Sequence, residues 1–219
     1  NWQNIKESYL YSIFLKSFLL TYNSDCSYII YVGVDKEDEV LFNEESNRNE
    51  VHRLINIIKN VELKFINVVV APGHVTKIWN LLCQEAYNDG CDFFFQCGDD
   101  IEFNNANWVR ESIQTIDDEG GMALTGPKDV NQNISTQSFV GRKHYELLGY
   151  FFPEEIENWF CDDWITYLYL ELKKFKPLRH KTCKNSGGEP RYKISGETSV
   201  KLLAHRLVSR DLKKLDIFK

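Results

Sequence analysis

The chain has 219 residues, 43% of them hydrophobic and 14% aromatic, with a formal net charge of −6 and a pI near 5.5. That apolar share supports a substantial core and excludes a disordered chain. The acidic balance removes the global positive field on which nucleic-acid binding draws, and no apolar run approaches the ~20 residues of a membrane-spanning helix.

Taken in order, residues 6–22 carry apolar side chains at helical spacing, the apolar stretch 9–20 being broken by Lys16, and predict an amphipathic core helix. Residues 26–35 form a β-rich run ending in Gly33-Val34-Asp35, and 36–50 read as a charged loop entering a helix over 50–60. A strand over 63–73 closes at Pro72-Gly73. A helix over 74–90 ends at Gly90, a C-terminal cap. The apolar run 91–97 is the next strand. Beyond it, 107–118 read as a helix, 121–127 as a strand, and 135–151 as a strand feeding a short helix. Residues 161–175 read as a helix, 185–192 as a glycine-rich loop, and 205–219 as a lysine-rich surface helix.

Alternation of helix and strand in the first half predicts an α/β domain with a mostly parallel sheet covered on both faces. Such domains usually open on a strand, so a first strand is expected upstream of Asn1. No repeat or long linker interrupts the chain, which reads as one domain over 1–219. The six cysteines (Cys26, Cys83, Cys91, Cys97, Cys161, Cys183) form no C-x-x-C pair, which argues against a zinc knuckle or a redox motif. They read as buried free thiols of a reducing compartment, with a disulfide framework as the alternative.

The stretch CDFFFQCGDDIEF, residues 91–103, sets two adjacent aspartates at the exit of a buried strand. Ligands of open α/β sheets bind at the carboxyl ends of strands. Adjacent carboxylates repel, and a cation compensates them. A small set of oxygen ligands suits Mg²⁺ or Mn²⁺ shared with a substrate phosphate. The plainer alternative is a turn whose aspartates are solvated or cap the next helix.

With its order of elements, this stretch resembles nucleotide-sugar-dependent glycosyltransferases of the GT-A fold, in which a DXD-type motif follows a hydrophobic strand. Gly98-Asp99-Asp100 occupies the three positions, with glycine at the first. The resemblance implies a Rossmann-like mixed sheet with flanking helices, and manganese or magnesium held directly by Asp100. Asp99 would face the ribose or support the metal through water. It implies a nucleotide-binding half over 1–100, with Asp35 near uracil and ribose and with Lys77 and Asn80 toward the nucleotide. An acceptor-binding half follows over 101–219.

In that half, NWFCDDWITYLYL places Asp162 and Asp163 at a helix start behind Trp159 and Phe160. One would be the general base toward the acceptor hydroxyl, Asp163 first, and Trp159 a sugar platform. An N-terminal cap is the alternative. By order along the chain His180 is the candidate further metal ligand. Gly187-Gly188 and Arg191 are candidates for the diphosphate, and Thr136, Gln137 and Ser138 for the acceptor side. The implied activity is metal-dependent, inverting transfer of a hexose or pentose from a nucleotide-sugar donor, UDP-linked, to a glycan or other hydroxyl acceptor. A retaining enzyme and a non-catalytic sugar- or nucleotide-binding module are the alternatives. A polymerase palm, which also carries GDD, needs a far longer and less acidic chain.

Overall fold

A π-helical turn, Leu10–Leu15, runs directly into helix α1 (Lys16–Thr21). Leu10, Phe14, Leu15 and Phe18 are buried while Lys16 stays exposed, so the stripe anticipated over 6–22 is the one that packs. The computed structural model describes residues 2–36, 39–130, 133–188 and 197–215. Strand β1 (Tyr28–Val34) comes next, then helices α2 (Glu39–Phe42) and α3 (Glu45–Ile55). The expected loop over 36–50 therefore holds helix at 39–42 and again from residue 45, with a break at Asn43-Glu44. Its anchors, Phe42, Val51 and Ile55, are sparse but buried, and a charged outer face hides them from a periodicity count.

Strand β2 (Val61–Asn67) pairs in parallel with β1, Tyr28 opposite Val61 and Val34 opposite Asn67. Helix α4 (Val75–Asn88) lies across β1 at close range. A Cβ at Gly33 would stand 2.8 Å from Ile78 Cγ2 and 3.2 Å from Leu82 Cδ1, so only glycine admits the helix there.

Strands β3 (Phe93–Gln96) and β4 (Ile101–Phe103) flank the Gly98-Asp99-Asp100 turn. After helix α5 (Trp108–Asp118) come strands β5 (Leu124–Thr125), β6 (Pro127–Asp129) and β7 (Ser138–Gly141). Helix α6 (Arg142–Leu148), helix α7 (Cys161–Glu171), strand β8 (Leu178–Asn185) and helix α8 (Glu197–Leu215) complete the described chain.

The strands form three sheets: β1-β2, β3-β7-β5 and β4-β8-β6. This corrects the expectation of a mostly parallel sheet. Among the described residues β1–β2 and β6–β8 are parallel, whereas β3–β7, β5–β7 and β4–β8 are antiparallel. Parallel neighbours need a long crossover, usually a helix. Here the short links from β3 to β4 and from β5 to β6 join strands of different sheets. Strand β7 enters between β3 and β5 antiparallel to both, and β8 between β4 and β6, antiparallel to the first and parallel to the second. Strands β4, β6 and β8 escaped prediction because they are short or largely polar. Of the eight residues of β8 only Leu178 and Cys183 are buried.

The β3-β7-β5 sheet separates two apolar cores. Phe93, Phe95 and Phe139 face one, against Phe103, Trp108 and α1. Phe94, Val140 and Leu124 face the other, against Trp164, Leu168 and α8. A strand buried on both faces has no polar face, which explains the unbroken run of phenylalanines. All six cysteines are free thiols, but only Cys83, Cys161 and Cys183 are buried as expected; Cys26, Cys91 and Cys97 are half-buried. Among the described residues no helix is long and apolar enough to cross a membrane.

Replacing Gly33 by alanine tests the β1–α4 contact. Overpacking of this kind costs about 1–3 kcal/mol, so the urea midpoint should fall while the slope of unfolding free energy on urea stays constant.

Candidate active site

The turn after β3 is held from across the sheet. Ile101 pairs with Asn185, and the Ser186 N–H donates to the Asp100 carbonyl at 2.9 Å. The Asp100 side chain lies between two glycines. A Cβ at Gly98 would stand 2.5 Å from Asp100 Oδ1. One at Gly187 would meet Oδ2 and stand 2.7 Å from Cβ and 2.8 Å from Cγ of Asp100. Glycine at the first position of the motif thus has a steric reason: any side chain there would displace the carboxylate of the third. Gly187 is brought to Asp100, where the sequence had set the glycine-rich loop against the diphosphate.

The second acidic stretch opens α7. Phe160, just before the helix, has φ of +73°, a strained conformation for a bulky residue, and Asp162 and Asp163 occupy the first helical turn. The Cys161 thiol donates to Asp162 Oδ1 at 3.1 Å. Burial pushes the Asp162 carboxyl up to about 6, and the charges of Asp163 and Asp129 push the same way. Asp129, at the end of β6, is 5% exposed and accepts a hydrogen bond from Thr136 Oγ1 at 2.9 Å.

Asp129 pairs in register with Cys183, whose thiol donates to Gln137 Oε1 at 3.3 Å. Burial, with Asp129 adding, raises the Cys183 thiol to about 12. Burial also raises the Cys97 thiol, with smaller contributions from Cys183, Asp100 and Asp99. Strand β8 thus links two acidic positions: it pairs with β4, which directly follows Asp99 and Asp100, and through Cys183 with Asp129. The Asp129 charge in turn acts on Asp162. Sequence reasoning missed Asp129. Its signal lay two residues past the strand expected over 121–127, in Gly126-Pro127-Lys128-Asp129.

Asp35 follows β1 and lines a cleft with Lys36, Pro72, Gly73, His74 and Ile78, at the carboxyl ends of β1 and β2. Lys77 stands in the first turn of α4, next to the cleft's Val75 and Ile78. Asn80 turns the other way. Its Oδ1 accepts the N–H groups of Phe151 (3.0 Å) and Phe152 (2.9 Å), and its Nδ2 donates to the Phe152 carbonyl at 2.8 Å. Thr76 Oγ1 donates to the Ile156 carbonyl at 2.6 Å, and Asn158 Nδ2 to that of Gly73 at 2.9 Å. Helix α4 and its entry loop therefore carry the segment leading to α7.

His180 is not brought to Asp100. It lies five residues before Asn185 on β8, roughly 16 Å of strand, and its Nε2 pairs with Glu111 Oε2 of α5 at 2.5 Å. Arg191 lies outside the described residues. Trp108 and Trp164 are buried, Trp79 packs on Phe152, and Trp159 is 38% exposed beside α7, the one tryptophan the sequence had set at a sugar. Among the described residues no three His, Cys, Asp or Glu side chains converge to hold a metal unaided. Asp99 and Asp100 offer hard oxygen ligands, and a cation there would draw its remaining ligands from phosphate and water. That donor set suits magnesium or manganese.

No family model matches the chain, and no curated protein matches it. Solved structures of S. aureus TarS share its fold. One superposes with a TM-score of 0.56 at 14% identity, covering 87% of this chain and 40% of that one. TarS 1–349 in complex with UDP gives 0.54 at 16% identity, covering 87% and 66%. The chain thus spans less than half of the longer TarS structure.

The Asp162 environment has a stability consequence. Its folded-state pKa lies above the ordinary carboxylate value of 3.8, so the folded protein binds the extra proton and Asp162 costs stability as pH rises from about 4 to 6. Asp162→Asn should melt higher at pH 7, by about the 2–4 °C that 1 kcal/mol gives a domain of this size. The gain should fade below pH 4 in calorimetric melts.

Proposed function

We propose that this chain is a glycosyltransferase domain that moves a sugar from a UDP-linked donor to an acceptor hydroxyl, with inversion. One observation carries the reading: strand β8 pairs on one edge with β4, which directly follows Asp99 and Asp100, and on the other with Asp129, whose charge acts on Asp162 at the start of α7. This arrangement lies in a fold shared with TarS, a glycosyltransferase whose 1–349 structure is a complex with UDP.

The nucleotide half, 1–100, would hold the donor, Asp35 meeting uracil and ribose in its cleft and Lys77 reaching the phosphates from α4. Asp100, with Asp99 in support, would hold manganese or magnesium, which when bound neutralises charge on the departing diphosphate. The Gly187 backbone lies beside Asp100, its N–H given to Asn185 Oδ1 at 3.1 Å. In the acceptor half, 101–219, the base would be Asp162 in place of Asp163, which the sequence put first, because burial raises the Asp162 carboxyl. A carboxyl raised toward neutrality removes a hydroxyl proton more readily than an ordinary aspartate. The Asp129 charge helps set that basicity. Asp163 would orient the acceptor hydroxyl, and exposed Trp159 offers an apolar face to a sugar ring.

Calorimetric titration with UDP in the presence of manganese tests the donor site. The expected result is binding that Asp100→Asn abolishes or weakens at least tenfold, Asp99→Asn less, with uridine preferred over guanosine and adenosine diphosphates. Unchanged UDP affinity in Asp100→Asn refutes the metal role. For the base, Asp162→Asn should lower turnover about 10²-fold or more, the usual size of a lost general base, with donor affinity retained. Full activity in that variant, or a product keeping the donor's anomeric configuration by NMR, contradicts the inverting role.

A further inference from the structure

We infer that a second cavity, of ≈ 260 Å³, binds an anionic group carried by the acceptor. This goes beyond the donor and base assignments, and its role as an acceptor site rests on the glycosyltransferase reading. Lys128 of β6 and Arg179 of β8 are the charged residues of its lining, and both are cations. Phe175 and Pro177 supply apolar wall, Asn133 and Ser135 polar groups.

The cavity shares a wall with the carboxylate region. Lys128 lines it, while its neighbour Asp129 acts on Asp162. Ser135 also lines it, and the Ser135 N–H donates at 2.9 Å to Thr166 Oγ1, one helical turn after Asp162. The next residue, Thr136, holds Asp129 from the other side. An elongated acceptor with its hydroxyl at Asp162 would have a neighbouring group within reach of this cavity.

The chemistry points to an anion. Lys128 and Arg179 form no ion pair with any described residue, in a chain whose net charge is −6. Two like charges on one lining repel until an anion joins them. The planar guanidinium matches carboxylate or phosphate oxygens two at a time. The volume, just under the usual range for small-molecule pockets, suits one sugar-sized unit. A phosphate ester and a uronic-acid carboxylate share this chemistry.

The test is binding of glucose 6-phosphate, glucuronate and glucose to the whole chain, followed by ligand-detected NMR with and without UDP and manganese. Wild type is compared with Lys128→Gln, with Arg179→Gln (an exposed position whose change leaves the core untouched) and with the double variant. Expected is binding of at least one anion but not of glucose, weakened about tenfold or more in the double variant, as for loss of a charge-assisted contact. Preference for the phosphate names a phosphorylated acceptor, and preference for glucuronate a uronate. Equal binding of glucose, undiminished binding to the double variant, or displacement of the anions by UDP and manganese overturns the proposal. UDP affinity should be the same in all four proteins. Failure of UDP to bind wild type would instead refute the transferase reading and with it the acceptor role.

Discussion

Burial of β3 on both faces is the constraint from which the remaining architecture follows. With phenylalanines turned toward both cores, the strand exposes no polar side, and the chain needs covering layers above and below it. Helices α1 and α5 meet that need on one side, and α4, α7 and α8 on the other. Polar chemistry is left only at the strand ends. The carboxyl end is where the backbone turns back toward β4 and where Asp99 and Asp100 stand. The position of the acidic region follows from the hydrophobic layer beneath it.

Gathering carboxylates there is electrostatically costly, and the surrounding residues divide that cost. Thr136 donates to Asp129, and the Cys161 thiol donates to Asp162, each stabilising ionised oxygen. The thiols of Cys97 and Cys183 are held protonated by burial and by the same negative neighbours, so they add no charge of their own. A neutral thiol near these acids avoids the repulsion that another ionised residue would add. This gives two of the six cysteines a physical role that their spacing in sequence did not disclose.

Much of the first half could be read from sequence because its elements are long and their apolar spacing regular, as in 6–22, 74–90 and 91–97. Short polar strands could not. β8 pairs on both edges, yet most of its side chains are hydrated and its sequence lacks alternation. The aspartate pairs were visible as anomalies of charge beside apolar runs. The link that β8 makes between the Asp99-Asp100 turn and Asp129 was not, because it depends on β6 and β8, the strands that periodicity failed to find. His180 shows the limit of reasoning by order along a chain: a free-standing histidine was placed near a metal, but Glu111, contributed by α5, pairs with it instead. Asn80 shows the same limit at shorter range, since one helical turn from Lys77 it faces inward.

The hydrogen bonds made by Asn80 and Thr76 tie together segments whose roles would otherwise divide at residue 100. Both backbone N–H groups of the Phe151-Phe152 turn end on a single amide oxygen from α4, and these groups are buried. Such donors find no substitute in water once enclosed. The second half therefore lacks the means to shape its own approach to α7 and takes that shape from a helix of the first. An exchange of the segment around residues 151–158 that left α4 behind would strand these buried donors, at about 1–3 kcal/mol for each group left unpaired.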